Sequence, residues 1–164
     1  MDTRLHSFTM LRLTPLPGAR RLYALNGVGT LRLTGWAART ATAEAGGQAW
    51  EMTCHGLLAP VIQAADAAGA IAGEYRARTL HRSGRLRWGG RELAVRPDNL
   101  WRERYVLVED DRRLATIEAK RWGRQPVNLR VEGAAELEPG LLLFAVFVVG
   151  TLAQNAPGAV VTAA

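Results

Sequence analysis

One stretch constrains this chain more than any other. "LLLFAVFVVGTLA", residues 141–153, carries no charge and a single hydroxyl. As a helix it spans about 20 Å, short of the roughly 30 Å of a bilayer's hydrocarbon. Gln154, Asn155 and Pro157 end the run, and no Lys or Arg follows to anchor it. The rival reading is a buried strand, "LFAVFVV", rich in β-branched residues and Phe. Length favours a helix. So does Pro139, which suits a first helical position, with Glu136 and Glu138 at the positive end of the dipole. A helix over about 139–154 that is apolar on every side must be enclosed by protein.

The chain before it reads as short runs of β-formers separated by turn signals. "FTMLRLT" (8–14) meets Pro15 and Pro17. "RRLYAL" (20–25) ends at Asn26-Gly27, the strongest short hairpin signal. "GTLRLT" (29–34), "WAARTATAEA" (36–45), "QAWEMTCH" (48–55), "LLAPVIQAAD" (57–66) and "AIAGEYRARTLH" (70–81) follow. Then come "RLRW" (85–88), "RELAVR" (91–96, closed by Pro97-Asp98), "NLWRERYVLVE" (99–109), "RRLATIEAKRW" (112–122) and "PVNLRVEG" (126–133). Pro60 predicts an edge, a bulge or a late start. "APVIQAADAAGA" is Ala-rich enough to suit a short helix instead. Val127, Leu129 and Val131 alternate with Asn128, Arg130 and Glu132; Trp50, Met52 and Cys54 alternate with Glu51, Thr53 and His55. The pattern predicts about 12 antiparallel strands, each with one wet and one buried face.

Half-buried strands followed by a helix that must be enclosed predict a closed barrel wrapped around that helix. The strand series, the run "LRWGGRELAVRPDNLWRERYVLVEDDRRLATIEAKRW" and the terminal "LLLFAVFVVGTLA" resemble the tubby C-terminal-like superfamily, which includes LURP-one-related proteins and phospholipid scramblases. The resemblance covers residues 8–155. It implies a mainly β fold, a closed antiparallel barrel around a hydrophobic C-terminal α-helix. It also implies association with phosphoinositide or other phospholipid, as in some members. The chain is shorter than that family's pattern, and it lacks the acidic calcium cluster and proline-rich N-terminal extension of an active scramblase.

Residues 1–164 are expected to form a single domain, with 156–164 a flexible tail. Cys54 is the lone cysteine, which excludes a disulfide framework and fits a reducing, cytoplasmic setting. The N-terminus has no signal-peptide pattern. The formal charge is +6, and Lys120 is the only lysine beside many arginines, as GC-rich coding would produce. Residues 74–130 hold fifteen Lys/Arg against eight Asp/Glu, while 131–164 hold three Glu and no basic residue. Arg82, Arg85, Arg87, Arg91, Lys120, Arg121 and Arg124 fall in turns or opposite apolar positions. They are the candidate ligand-binding residues of a basic outer surface for anionic phospholipid or a membrane surface. The alternatives are an arginine-driven nucleic-acid binder, since "RLRWGGR", "NLWRERY" and "AKRWGR" set Trp beside Arg, and a scramblase-like lipid-handling protein.

No catalytic constellation, metal site or cofactor is expected. His6, His55 and His81 are far apart in sequence and off ligand spacing. Cys54 shares the inward face of Trp50 and Met52, which suits an inert buried thiol. "EDD" (109–111) reads as a solvated turn, and the glycines of "NGVGTLRLTG" as hairpin turns. Trp36, Trp50, Trp88, Trp101 and Trp122 are expected in core or barrel-rim packing. The reading is a non-enzymatic binding or scaffold module.

Overall fold

A computed structural model describes residues 8–56, 59–78, 83–99, 103–119, 127–132 and 136–154. The strands are β1 (Phe8–Pro15), β2 (Leu22–Leu25), β3 (Gly29–Thr34), β4 (Thr40–Ala45), β5 (Gln48–His55) and β6 (Val61–Asp66). They continue with β7 (Ile71–Ala77), β8 (Gly84–Trp88), β9 (Arg91–Asn99), β10 (Arg104–Glu109), β11 (Arg112–Glu118) and β12 (Val127–Glu132). Helix α1 (Pro139–Gln154) follows. Each strand pairs antiparallel with its sequence neighbours, and β1 pairs with β12 from Phe8↔Glu132 to Leu13↔Val127, which closes the barrel.

A barrel this wide cannot fill itself. About eight strands already enclose all the space that inward side chains can occupy. A helix about 10 Å across supplies the missing core. Every residue of α1 from Gly140 to Ala153 is buried. Its one buried hydroxyl, on Thr151, donates to the Phe147 carbonyl at 2.8 Å, so the interior gains no orphan donor. The wall matches the filler in size. Inward positions of β4 are Ala41, Ala43 and Ala45, and α1 lies closest to that strand. Bulkier inward residues such as Tyr75, Leu86, Tyr105 and Leu107 occupy strands farther round.

Indole rings close the end where α1 begins. Trp50 and Trp88 pack with centroids 5.8 Å apart, and Trp88 lies 5.6 Å from Phe144 of the helix. Trp50 and Trp88 thus fall within the core or barrel-rim packing expected of them. Trp101 and Trp122 lie outside the described residues.

The turns follow backbone chemistry. Gly46 and Gly47 have φ of 56° and 77°, the pair of positive values a two-residue type I′ hairpin needs. Asp110 and Asp111 do the same between β10 and β11 at 48° and 60°, so "DD" is a turn as expected. Two expectations need correction. Trp36–Ala38 is a 3-10 turn, not the start of a strand, with Ala37 and Ala38 at φ of 57° and 52°. β9 does not stop at Pro97: a register shift against β10 lets it run to Asn99, and a bulge tolerates the missing proline N–H. The Ala-rich stretch open to a short helix is β6, which begins at Val61, just after Pro60. The expected tail, 156–164, lies outside the described residues.

Candidate functional site

Alternation along a barrel strand sends every second side chain to the outside. On β7, β8 and β9 those positions are mostly charged, and register decides which charges meet. Glu74 lies opposite Arg87, and Arg87 opposite Glu92. One row along, Arg76 lies opposite Arg85, and Arg85 opposite Ala94. Arg78, just past the end of β7, and Arg96 of β9 extend the face. Two open grooves of 610 and 390 Å³ cross it and share Arg78, Arg85 and Glu92. The larger continues to Asp110 and Asp111.

The arginines differ in how far they are neutralised. Arg76 Nε donates to Glu74 at 2.5 Å, and Gln63 Nε2 donates to the other Glu74 oxygen at 2.8 Å. The Arg76 hydrogen bond, then that of Gln63, hold the Glu74 carboxyl below its usual pKa. Arg85 reaches Glu92 at 3.3 Å with both side chains more than half exposed, a weak pair. Among the described residues, the guanidinium groups of Arg78 and Arg96 have no hydrogen-bond or ion-pair partner, whereas Arg87 stands between Glu74 and Glu92 and its charge helps to keep Glu74 ionised.

Of the residues proposed from sequence, Arg85 and Arg87 stand together on this face. Arg91 has a different job. Its Nε and Nη2 each donate to a Glu109 oxygen at 3.0 Å, and its Nη1 donates to the Glu136 carbonyl at 2.9 Å. That bidentate clamp ties the lead-in of α1 to β10 and leaves Arg91 little freedom to meet a ligand. Arg82, Lys120, Arg121 and Arg124 lie outside the described residues. Arg76, Arg78 and Arg96 join the face without having been singled out in the sequence. Charge alone does not distinguish them from other arginines, and only the β7–β8–β9 register brings them together.

Elsewhere the described residues offer little for chemistry. None form a group of three or more His, Cys, Asp or Glu able to hold a metal ion. Cys54 is buried, as expected, with Arg39 Nη2 3.9 Å from its sulfur. His55 is exposed at the end of β5; His6 and His81 lie outside the described residues. No described helix is long and apolar enough to cross a membrane. No family model, curated protein or solved structure matches the chain.

Proposed function

We propose that the protein is a non-enzymatic binding module of the tubby-like kind whose β7–β9 face takes anionic phospholipid at a membrane surface. The observation that carries this reading is the pair of guanidinium groups on that face without a carboxylate partner among the described residues, Arg78 and Arg96. An unpaired guanidinium fork suits phosphate oxygens, and its charge keeps its full pull on an anionic surface. The tubby-like assignment rests on the sequence resemblance, and a closed barrel around a terminal helix is the arrangement that resemblance implies. The filled interior favours binding over catalysis, because α1 occupies the space a buried substrate would need.

Vesicle co-sedimentation tests the proposal. Binding should require anionic lipid and fall with salt, with each basic residue near the surface contributing about 1 kcal/mol, roughly fivefold. Arg78→Gln with Arg87→Gln is the informative variant. Reversal to Glu at 87 would set three carboxylates in a row with Glu74 and Glu92 and disturb the sheet itself. Equal binding to neutral vesicles, or none to either, rejects the membrane reading. Tighter salt-dependent binding to DNA than to vesicles would favour the nucleic-acid alternative.

A further inference from the structure

The larger groove on this face holds charges of both signs that do not meet. Along β9 the outward residues are Glu92, Ala94 and Arg96, so the two charges stand about 14 Å apart at Cα. Ala94 lies between larger neighbours, opposite Arg85 on one side and Val108 on the other, and its short side chain leaves room on the groove floor. Arg78, Ser83 and Arg96 line one end, and Glu92, Asp110 and Asp111 the other. Glu92 is partly satisfied by Arg85. Arg78 and Arg96 have no acidic partner, and Asp110 and Asp111 no basic one, among the described residues. The groove is open to solvent and holds about 610 Å³.

We propose that this groove binds a zwitterion in which a phosphate and a primary ammonium are joined by a short hydrocarbon linker. The guanidinium forks of Arg78 and Arg96, with the Ser83 hydroxyl, supply donors for phosphate oxygens. The ammonium has donors for both aspartates, and the linker lies over Ala94 and Val108. A simple anion would satisfy only one end and would meet two carboxylates at the other. The inference deepens the membrane reading and rests on the same face, but it specifies a charge pattern that reading does not require. The ligand's source is either a lipid headgroup or a soluble phosphoammonium compound.

Titration with three soluble probes, followed by amide chemical shifts, decides it. O-phosphoethanolamine should bind at least tenfold more tightly than ethyl phosphate, and ethanolamine should bind more weakly than either. Asp110→Asn with Asp111→Asn should erase that preference while leaving ethyl phosphate affinity unchanged or higher. Asn accepts the positive φ of both positions, so the turn should survive. Arg96→Gln should weaken both phosphates. Equal affinity for the two phosphates, a preference that persists without the aspartates, or no binding of O-phosphoethanolamine overturns the proposal. Phosphatidylcholine vesicles with and without phosphatidylethanolamine identify the source: added binding points to the headgroup, and soluble binding alone to a free ligand. Anionic-vesicle binding without the zwitterion preference sinks this inference only. The preference without anionic-vesicle binding sinks the anionic-lipid reading only.

Discussion

The indole nitrogen of Trp88 donates to a Glu138 carboxylate oxygen at 3.0 Å, across fifty residues of sequence. The bond fixes the residue just before α1 to the rim of the barrel it enters. Glu138→Ala should strand a buried indole N–H and lower stability by about 1–3 kcal/mol. Glu138→Gln retains an acceptor and should lose less. Urea unfolding of both variants checks this, and wild-type stability for the alanine variant would mean the bond holds nothing.

Gly140→Ala separates helix propensity from packing. Propensity alone predicts a gain, smaller in this first turn than the about 1 kcal/mol of a helix interior. A Cβ at this position would sit 2.5 Å from Trp88 Cζ2 and 2.8 Å from Trp50 Cζ2, both in buried rings. Overpacking of about 1–3 kcal/mol should win, giving net destabilisation. A higher melting temperature would show that the rings yield.

Val148→Asp places a carboxylate at a fully buried position of α1. Val148 sits within the apolar core cluster, so the charge would be desolvated among hydrophobic side chains. A loss of several kcal/mol and failure to fold are expected. A soluble variant with unchanged melting would contradict a helix inside the barrel.

Acid should weaken the Arg91 clamp. The Arg91 hydrogen bond, stronger here than the opposing effect of burial, holds Glu109 below its ordinary 4.5. A carboxylate whose folded pKa is depressed contributes stability above its unfolded pKa and loses it as pH falls through the folded value. Arg91→Gln should therefore be less stable than wild type at neutral pH. The gap should narrow as pH drops below about 4.5. Denaturant midpoints at several pH values measure it, and a gap independent of pH would assign the loss to the Glu136 carbonyl contact instead.

Tyr75 is fully buried, and its hydroxyl has no hydrogen-bond partner among the described residues. Burial raises its pKa far above that of free tyrosine. Tyr75→Phe removes a desolvated polar group and keeps the ring that packs over Gly84, so stability should hold or rise by up to about 1 kcal/mol. A clear loss in thermal unfolding would reveal a bound solvent partner for the hydroxyl.

Where a residue's surroundings are set by its own neighbours in sequence, the fold was legible. Period-two patterns placed β3 and β5 to the residue, and an unbroken apolar run flanked by Pro139 placed α1. Trp36–Ala38 misled because its composition suits a strand, while its backbone turns through left-handed values that alanine does not advertise. The binding face was only partly legible. Arg85 and Arg87 alternate visibly with Leu86 and Trp88. Arg76 and Arg96 reach them only through pairing with neighbouring strands, and the partner that occupies Arg91 lies eighteen residues away. Register is a tertiary property, and no local pattern encodes it.

The order of synthesis runs against the order of packing. All twelve strands emerge before α1, yet their inward faces have nothing to close on until residues 139–154 arrive. The seam between β1 and β12 joins the two most distant strands of the barrel, so it too must wait. A nascent chain halted before Pro139 is thus not a smaller version of this protein but a set of two-faced ribbons with open edges, the kind of surface that chaperones bind. Folding should be a late, cooperative and slow event, limited by distant contacts more than by any single turn.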